Sequence, residues 1–354
     1  MDSAIEPRAR VLSAGSDIHR REPPAVIRCV VGDEPVDPAG CLRSRPQHCH
    51  GDVDLGCAHR DSFPLLGPRT AAWSGARGER PAYRTMTPVI DVLDRGIRAA
   101  LEDAPGQIGV VVSRESGVVL DIDGHDVVPA ASMIKLPLLV VALRHVQAGD
   151  LALDQRVTLP SRRAGGSGAV ALMPSLTALP LGELLHLMIA VSDNDAANAV
   201  ADLVGMPSIA EFARSIGCAA TRMRRPFMDF RAVREGRDNF TSVADVARML
   251  TLLRGGALLD DRHTRLALRM LHDQRDRAGL PAYLGVDVRV GGKTGLLPGI
   301  RHDAAILERD GSWIVVAVAA TDLLQEGVDW GTSVLPVFAT VGAMTALTCL
   351  DFRE

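Results

Sequence analysis

From Ala131 to Gly149 the sequence predicts an apolar helix, and its first turn carries Ser132-Met133-Ile134-Lys135. Residues three apart share a helix face, so the Lys135 amine can lie beside the Ser132 hydroxyl. A serine hydroxyl becomes a useful nucleophile when a neighbour takes its proton. Lysine can do this if burial and a nearby positive charge lower its pKa. The head of a helix also offers a positive dipole end and free N–H groups, which suit an oxyanion forming at that serine.

Composition sharpens the assignment. The chain has 37 arginines and two lysines, Lys135 and Lys293, the latter within Gly291-Gly292-Lys293-Thr294-Gly295. Arginine keeps its proton inside a protein and lysine can lose it, so Lys135 reads as a proton acceptor and Lys293 as a compact point charge. With 354 residues, 47% hydrophobic and 23% charged, the chain can bury a substantial core in one large domain or two small ones. A net charge of −4 and 3% aromatic residues argue against a nucleic-acid partner. No uninterrupted apolar run of about 18 residues predicts a membrane span. Nor does the first segment show the basic-then-apolar pattern of a secretory signal. Cys218 and Cys349, far apart in the body, form no disulfide framework, which fits a reducing compartment. The expectation is a cytoplasmic monomer acting on a small molecule.

Residues 1–85 are rich in Arg, Pro, Gly, His and Cys and show no helical or strand periodicity, so they are expected to be disordered. A translation start at Met86 would make them an upstream extension of a domain spanning 86–354. Cys41, Cys49 and Cys57, with His48, His50 and His59, match no paired zinc-ligand spacing, so neither metal nor cofactor is expected.

Past Met86, Thr87-Pro88 opens a helix that ends before Pro105. A hairpin of Gln107–Ser113 and Val118–Asp123 follows, then the Ser132 helix. Helices are predicted at Leu181–Ala190, Asp195–Leu203, Val243–Leu253 and about Asp261–Gln274. Three strands come next, Val286–Thr294, Arg301–Leu307 and Trp313–Ala320, and a last helix over about Ser333–Thr348. This order predicts an α+β fold: a five-stranded antiparallel sheet with terminal helices on one face and an inserted all-helical part opposite.

Between these elements lie segments with polar chemistry. Gly165-Gly166-Ser167-Gly168 reads as a flexible turn, with no following Lys-Ser/Thr to make a phosphate loop. Ser192-Asp193-Asn194, between two apolar helices, reads on its own as a loop with an N-cap. Residues 221–240 form a long charged loop of a length that often carries function. Strand alternation puts Arg301 and Asp303 on one face and His302 on the other. Arg301 is either a carboxylate anchor or a plain surface charge. His145, His186 and His302 read as structural.

Taken together, Ser132-x-x-Lys135, Ser192-Asp193-Asn194 and Lys293-Thr294-Gly295 resemble the three signatures of class A β-lactamases and their penicillin-binding relatives, in the same order and over residues 86–354. The resemblance implies the β-lactamase/transpeptidase-like fold and an acyl-enzyme on Ser132, formed from a β-lactam or an acyl-D-alanine-type group. It implies that Lys135 activates Ser132 and that Ser192 relays a proton to the leaving nitrogen. Asn194 would hold the substrate amide, while Lys293 and Thr294 would meet its carboxylate. The backbone N–H groups of Ser132 and of Leu296, the residue after Gly295, would form the oxyanion hole. Class A enzymes also carry a glutamate on an omega loop that activates the deacylating water. Aligned from Thr221-Arg222-Met223, that position holds Phe227, with Asp229 and Glu235 as displaced carboxylates and Arg231 at the place of an amide partner. The implied activity is therefore a weak β-lactamase; the alternatives are a D-alanyl peptidase or esterase, or a slowly deacylating β-lactam sensor.

Overall fold

A computed structural model describes residues 87–323 and 331–350, so the expectations for residues 1–85 lie outside the described residues. In chain order, α1 (Thr87–Leu101) leads into the hairpin β1 (Gln107–Arg114) and β2 (Gly117–Ile122). The short β3 (Val128–Pro129) enters a 3₁₀ turn, Ala131–Ile134, that continues directly as α2 (Lys135–Ala148). The helical body follows, with the small ribbon β4 (Arg156–Thr158) and β5 (Ala178–Pro180), then α3 (Leu181–Ala190), α4 (Asn194–Val204) and α5 (Met206–Ser215). The one-turn helix α6 (Phe230–Arg234) and β6 (Phe240–Thr241) precede α7 (Val243–Arg254) and α8 (Asp261–His272). The chain closes with β7 (Arg289–Leu297), β8 (Ile300–Arg309), β9 (Ser312–Thr321) and α9 (Leu335–Cys349).

The main sheet is antiparallel throughout in the order β2-β1-β9-β8-β7, which puts β7 on an edge. Alternation along the strands divides two cores. Val110, Val112, Val316, Val318 and Leu307 face Leu93, Ile97, Phe338 and Val341 of the terminal helices. Their neighbours Val111, Ile306, Val315 and Ala317 face the helical body, where α2 is the central element. Leu136, Leu138, Leu139, Val140 and Leu143 of α2 are buried on several sides of the helix, as the apolar sequence requires. The 18 residues Ala131–Ala148 have a mean hydropathy of 1.2, enough by length and composition for a membrane span, yet they are packed here as a core helix.

Several sequence expectations shift by a few residues. The strand expected at Val286–Thr294 runs instead from Arg289 to Leu297, with Val286 fully exposed ahead of it. Helix α5 has no counterpart among the expected elements. It starts at Met206, with Pro207 in its first turn after Gly205 at φ +79°, and it buries Ile209, Phe212 and Ala213 at helical spacing. The glycine-rich turn expected to be flexible is tied down: Asp195 accepts from the N–H groups of Ala164 and Gly165, and Asp193 from those of Ala169 and Val170. His145 and His186 do not pack into the apolar interior; their ring nitrogens lie 3.1 Å from Asp150 and Asp273.

The 221–240 segment is closed at its neck by Arg225 and Asp238, 2.8 Å apart, with only 7% and 16% of the two side chains exposed. Asn239 braces it from within, accepting from the N–H groups of Arg224 and Arg225 and donating to the Arg225 carbonyl. Ser242 then caps α7 by accepting from the Asp245 N–H.

One substitution tests how tightly the sheet's outer layer is packed. Alanine in place of glycine inside a helix normally stabilises by about 1 kcal/mol. A Cβ at Gly342 in α9 would sit 2.1 Å from the Leu280 carbonyl oxygen, which is backbone and cannot swing away. Gly342→Ala is therefore expected to destabilise, by about 1–3 kcal/mol as for other overpacked core sites. Urea denaturation would show a lowered midpoint; an unchanged or raised one would mean that the layer yields.

Candidate active site

Two strained backbone positions set up the site. Ala131, just before Ser132, has φ +46°, and Ser192 has φ +56°, both in the left-handed region that non-glycine residues avoid. His302 supports the first of them. Its ring is 1% exposed on the helical-body face of β8, with Nε2 2.8 Å from the Pro129 carbonyl. Burial lowers its pKa, while the two carbonyls its ring nitrogens face, Pro129 at Nε2 and Arg301 at Nδ1 (2.9 Å), act the other way. Gly295 fits against the same turn, because a Cβ on it would lie 3.2 Å from the Ala131 methyl.

Asp193 supports the second. It is fully buried, caps α4 through the Ala196 N–H at 2.9 Å, and accepts from Ala169 and Val170 at 2.7 and 2.8 Å. The capping role expected of the triplet thus belongs to Asp193 alone, while Ser192 and Asn194 are left to face Lys135.

Lys135 is fully buried and lies amid oxygens. Its Nζ is 2.7 Å from the Ser192 carbonyl, 2.8 Å from Asn194 Oδ1, 3.1 Å from Ser192 Oγ and 3.2 Å from Ser132 Oγ. The Phe227 ring centroid is 4.4 Å away and covers the amine with an apolar surface. Burial pushes the Lys135 pKa well below the lysine range, the positive charge of Lys293 lowers it further, and Asp193 opposes both. The hydrogen-bond inventory agrees. A neutral amine has two N–H groups and one lone pair. The two shortest contacts go to acceptors with no proton to give, so the lone pair is left for a hydroxyl.

Lys293, also fully buried, donates to the Thr294 carbonyl at 2.7 Å and to Ser192 Oγ at 3.0 Å. Ser192 Oγ therefore bridges the two lysines, the arrangement a proton relay needs. Burial lowers the Lys293 pKa to about 7, Asp276 and Asp303 acting the other way and Arg301 adding to the fall. Asp303, behind the strand, is itself pushed up to about 7 by burial and accepts from the Leu280 N–H.

Ser132, Lys135, Ser192, Lys293 and Asn194 are thus joined by hydrogen bonds, as the motifs lead one to expect. Leu296 lines the cleft beside Ser132. Asn194 is partly engaged already, since its Nδ2 donates to the Gly165 carbonyl at 2.9 Å, which leaves one N–H for a ligand. The register Thr294↔Asp303 and Leu296↔Arg301 puts Thr294, Leu296 and Arg301 on the sheet face opposite Lys293, on and beside the edge strand that carries the cleft-lining Leu296. Arg301 is not a plain surface charge: it is 6% exposed and its guanidinium is held by Asp276 at 2.7 Å.

The cleft, about 350 Å³, is lined by no carboxylate among the described residues. Asp229 caps α6 by accepting from the Ala232 N–H, and Glu235 lies at the surface between Arg231 and Arg237. The two arginine hydrogen bonds hold the Glu235 carboxyl below its ordinary pKa. Neither acid stands in for a glutamate at position 227. A residue missed in the sequence holds that position: Asn198 accepts from the Phe227 N–H at 2.7 Å and donates to its carbonyl at 3.2 Å. The signal was available, since Asn198 stands four residues after Asn194 on the same helix face.

Comparison with known proteins agrees with this geometry. The profile of the Beta-lactamase enzyme family matches residues 92–330. Beta-lactamase FAR-1 of Nocardia farcinica is 30% identical over 230 residues, 62% of this chain and 72% of that one. The β-lactamase of Sphaerobacter thermophilus superposes with a TM-score of 0.65 at 26% identity, over 73% of this chain and 97% of the other. An ancestral class A β-lactamase gives 0.63 at 26% identity, over 72% and 99%. The chain belongs to the beta-lactamase enzyme family of serine hydrolases, with the α+β fold that family shares.

Proposed function

We propose that this serine hydrolase is acylated readily on Ser132 by β-lactams and related amides or esters and releases the acyl group slowly. The observation that carries the reading is Phe227. Its ring lies over the Lys135 amine, where the resemblance calls for the carboxylate that activates water, and no acid among the described residues lines the cleft.

Acylation needs only groups already in contact. Neutral Lys135 takes the Ser132 proton over 3.2 Å as Oγ attacks the carbonyl carbon. The backbone N–H groups of Ser132 and Leu296 receive the developing oxyanion. Ser192, bridging the lysines, passes a proton to the leaving nitrogen, and Lys293 attracts an anionic substrate. The second step lacks an equivalent. Water at the ester face opposite the relay meets the Phe227 ring, which can neither orient it nor accept its proton.

Intact-mass spectrometry after mixing with benzylpenicillin or a chromogenic cephalosporin tests this. The expected result is a burst near one equivalent and a lasting adduct on Ser132; rapid sustained turnover with no adduct would overturn the proposal. In Phe227→Glu the adduct should clear faster by about 10²-fold, the low end for a positioned general base.

Lys135→Arg puts a permanent cation at this position that cannot accept a proton, so the acylation constant should fall about 10³-fold. A near-normal rate would remove the general-base role.

The pH dependence follows from the two lysines. Acylation rises with pH as Lys135 loses its proton, on a limb well below the usual lysine range. Lys293 loses its charge through about pH 7, so attraction for an anionic lactam weakens above it. Stopped-flow acylation by benzylpenicillin should pass through a maximum, whereas a neutral ester should lack the fall that comes from lost charge attraction. Identical profiles for the two donors would rule out Lys293 as the charge that binds the anion.

A further inference from the structure

Resting on the acyl-enzyme reading above, we infer that the cleft chooses its donor by an uncharged alkyl or aryl acyl group, held by Met228 and Phe230 from one segment and Leu296, Leu297 and Pro298 from another. All five line the cleft that contains Ser132. Met228, Phe230 and Leu296 remain 37%, 46% and 39% exposed, so an apolar group entering beside Ser132 removes their surface as well as its own from water.

Among the described residues, that rim offers no polar partner for a charged or hydrogen-bonding acyl tail. Arg225, the one charged residue among those that line the cleft, is 6% exposed and committed to Asp238. Asn239 has both ends of its amide engaged by the backbone of Arg224 and Arg225. The groups that can still meet a ligand, Ser132, Ser167 and Asn194, line the cleft with Gly166 between two of them, at the reacting end. The cleft is thus amphipathic, with polar groups at the scissile bond and an apolar rim beyond.

Gly166 is part of the same device. A Cβ there would come within 2.8 Å of Asn194 Nδ2 and 2.9 Å of Met228 Sδ, so the glycine lets the methionine thioether close over the cleft. Methionine is the apolar side chain that best adapts to ligands of varied shape.

The test uses p-nitrophenyl acetate, butanoate, pentanoate, hexanoate and octanoate, with mono-p-nitrophenyl glutarate as the charged counterpart of the pentanoate. Ser132 Oγ bonds to the carbonyl carbon and its proton passes to Lys135. The ester C–O bond breaks, and p-nitrophenolate leaves with the electron pair. The burst gives the acylation constant, and intact mass verifies the adduct. The constant should rise about threefold per methylene up to hexanoate, and the glutarate should lag the pentanoate by about tenfold or more. Phe230→Ala and Met228→Ser should each lower the octanoate-to-acetate ratio about fivefold. Tyr283→Ala, an exposed apolar residue outside the cleft lining, should leave that ratio unchanged. A flat series, a preference for the glutarate, or ratios that neither cleft variant alters would overturn the inference and leave the acyl-enzyme standing. No Ser132 adduct with any ester or with benzylpenicillin would overturn both.

Discussion

A lysine amine with no exposed surface is the constraint around which the site is built. A buried ammonium needs compensation, and Lys135 instead sits where the neutral form is favoured. Two carbonyl oxygens take its N–H groups, two hydroxyls compete for its lone pair, and an aromatic ring closes the remaining side. The partners come from three parts of the chain: the α2 entry, the Ser192–Asn194 turn and the 221–240 segment. The fold has to bring them together before the amine can be a base.

Asp193 is what makes the convergence tolerable. Its carboxylate ties the α4 N-terminus to the Ala169–Val170 backbone, while Asp195 next along ties Ala164 and Gly165. The left-handed Ser192 between these bonds is thereby paid for by several charge-assisted hydrogen bonds. The same carboxylate opposes the fall in the Lys135 pKa, so one residue fixes the geometry and moderates the electrostatics.

Much of this could be read in the sequence, and the reasons are local. Ser132 and Lys135 share a helical turn, and strand alternation separates His302 from Arg301 whatever the tertiary structure. Hairpin turns at Leu297-Pro298-Gly299 and Asp310-Gly311 fix the β7–β8–β9 register to within a few residues. What escaped was long-range partner choice. The ion pair that buries Arg301 was hidden because its partner Asp276 lies in a loop whose path periodicity does not encode. Gly165–Gly168 looked flexible because the carboxylates that pin it lie some thirty residues away. Helix α5, behind a glycine and carrying a proline in its first turn, was hidden by the two residues that in fact begin it.

The 221–240 segment shows how chemistry can change without the fold. Its neck is held by Arg225 and Asp238, its interior by Asn239, and the Phe227 backbone by both ends of Asn198. None of these bonds involves the Phe227 side chain. The scaffold therefore sets where residue 227 stands and leaves open what it is. A carboxylate there would add a proton acceptor and a negative charge beside Lys135, which would also favour the charged amine. A phenyl ring supplies no proton acceptor, shields the amine from water and extends the apolar surface of the cleft. The residue that gives the second step no base thus also adds no negative charge that would hold the first step's base protonated. Under the proposed function, fast acylation and slow release are two consequences of one side chain.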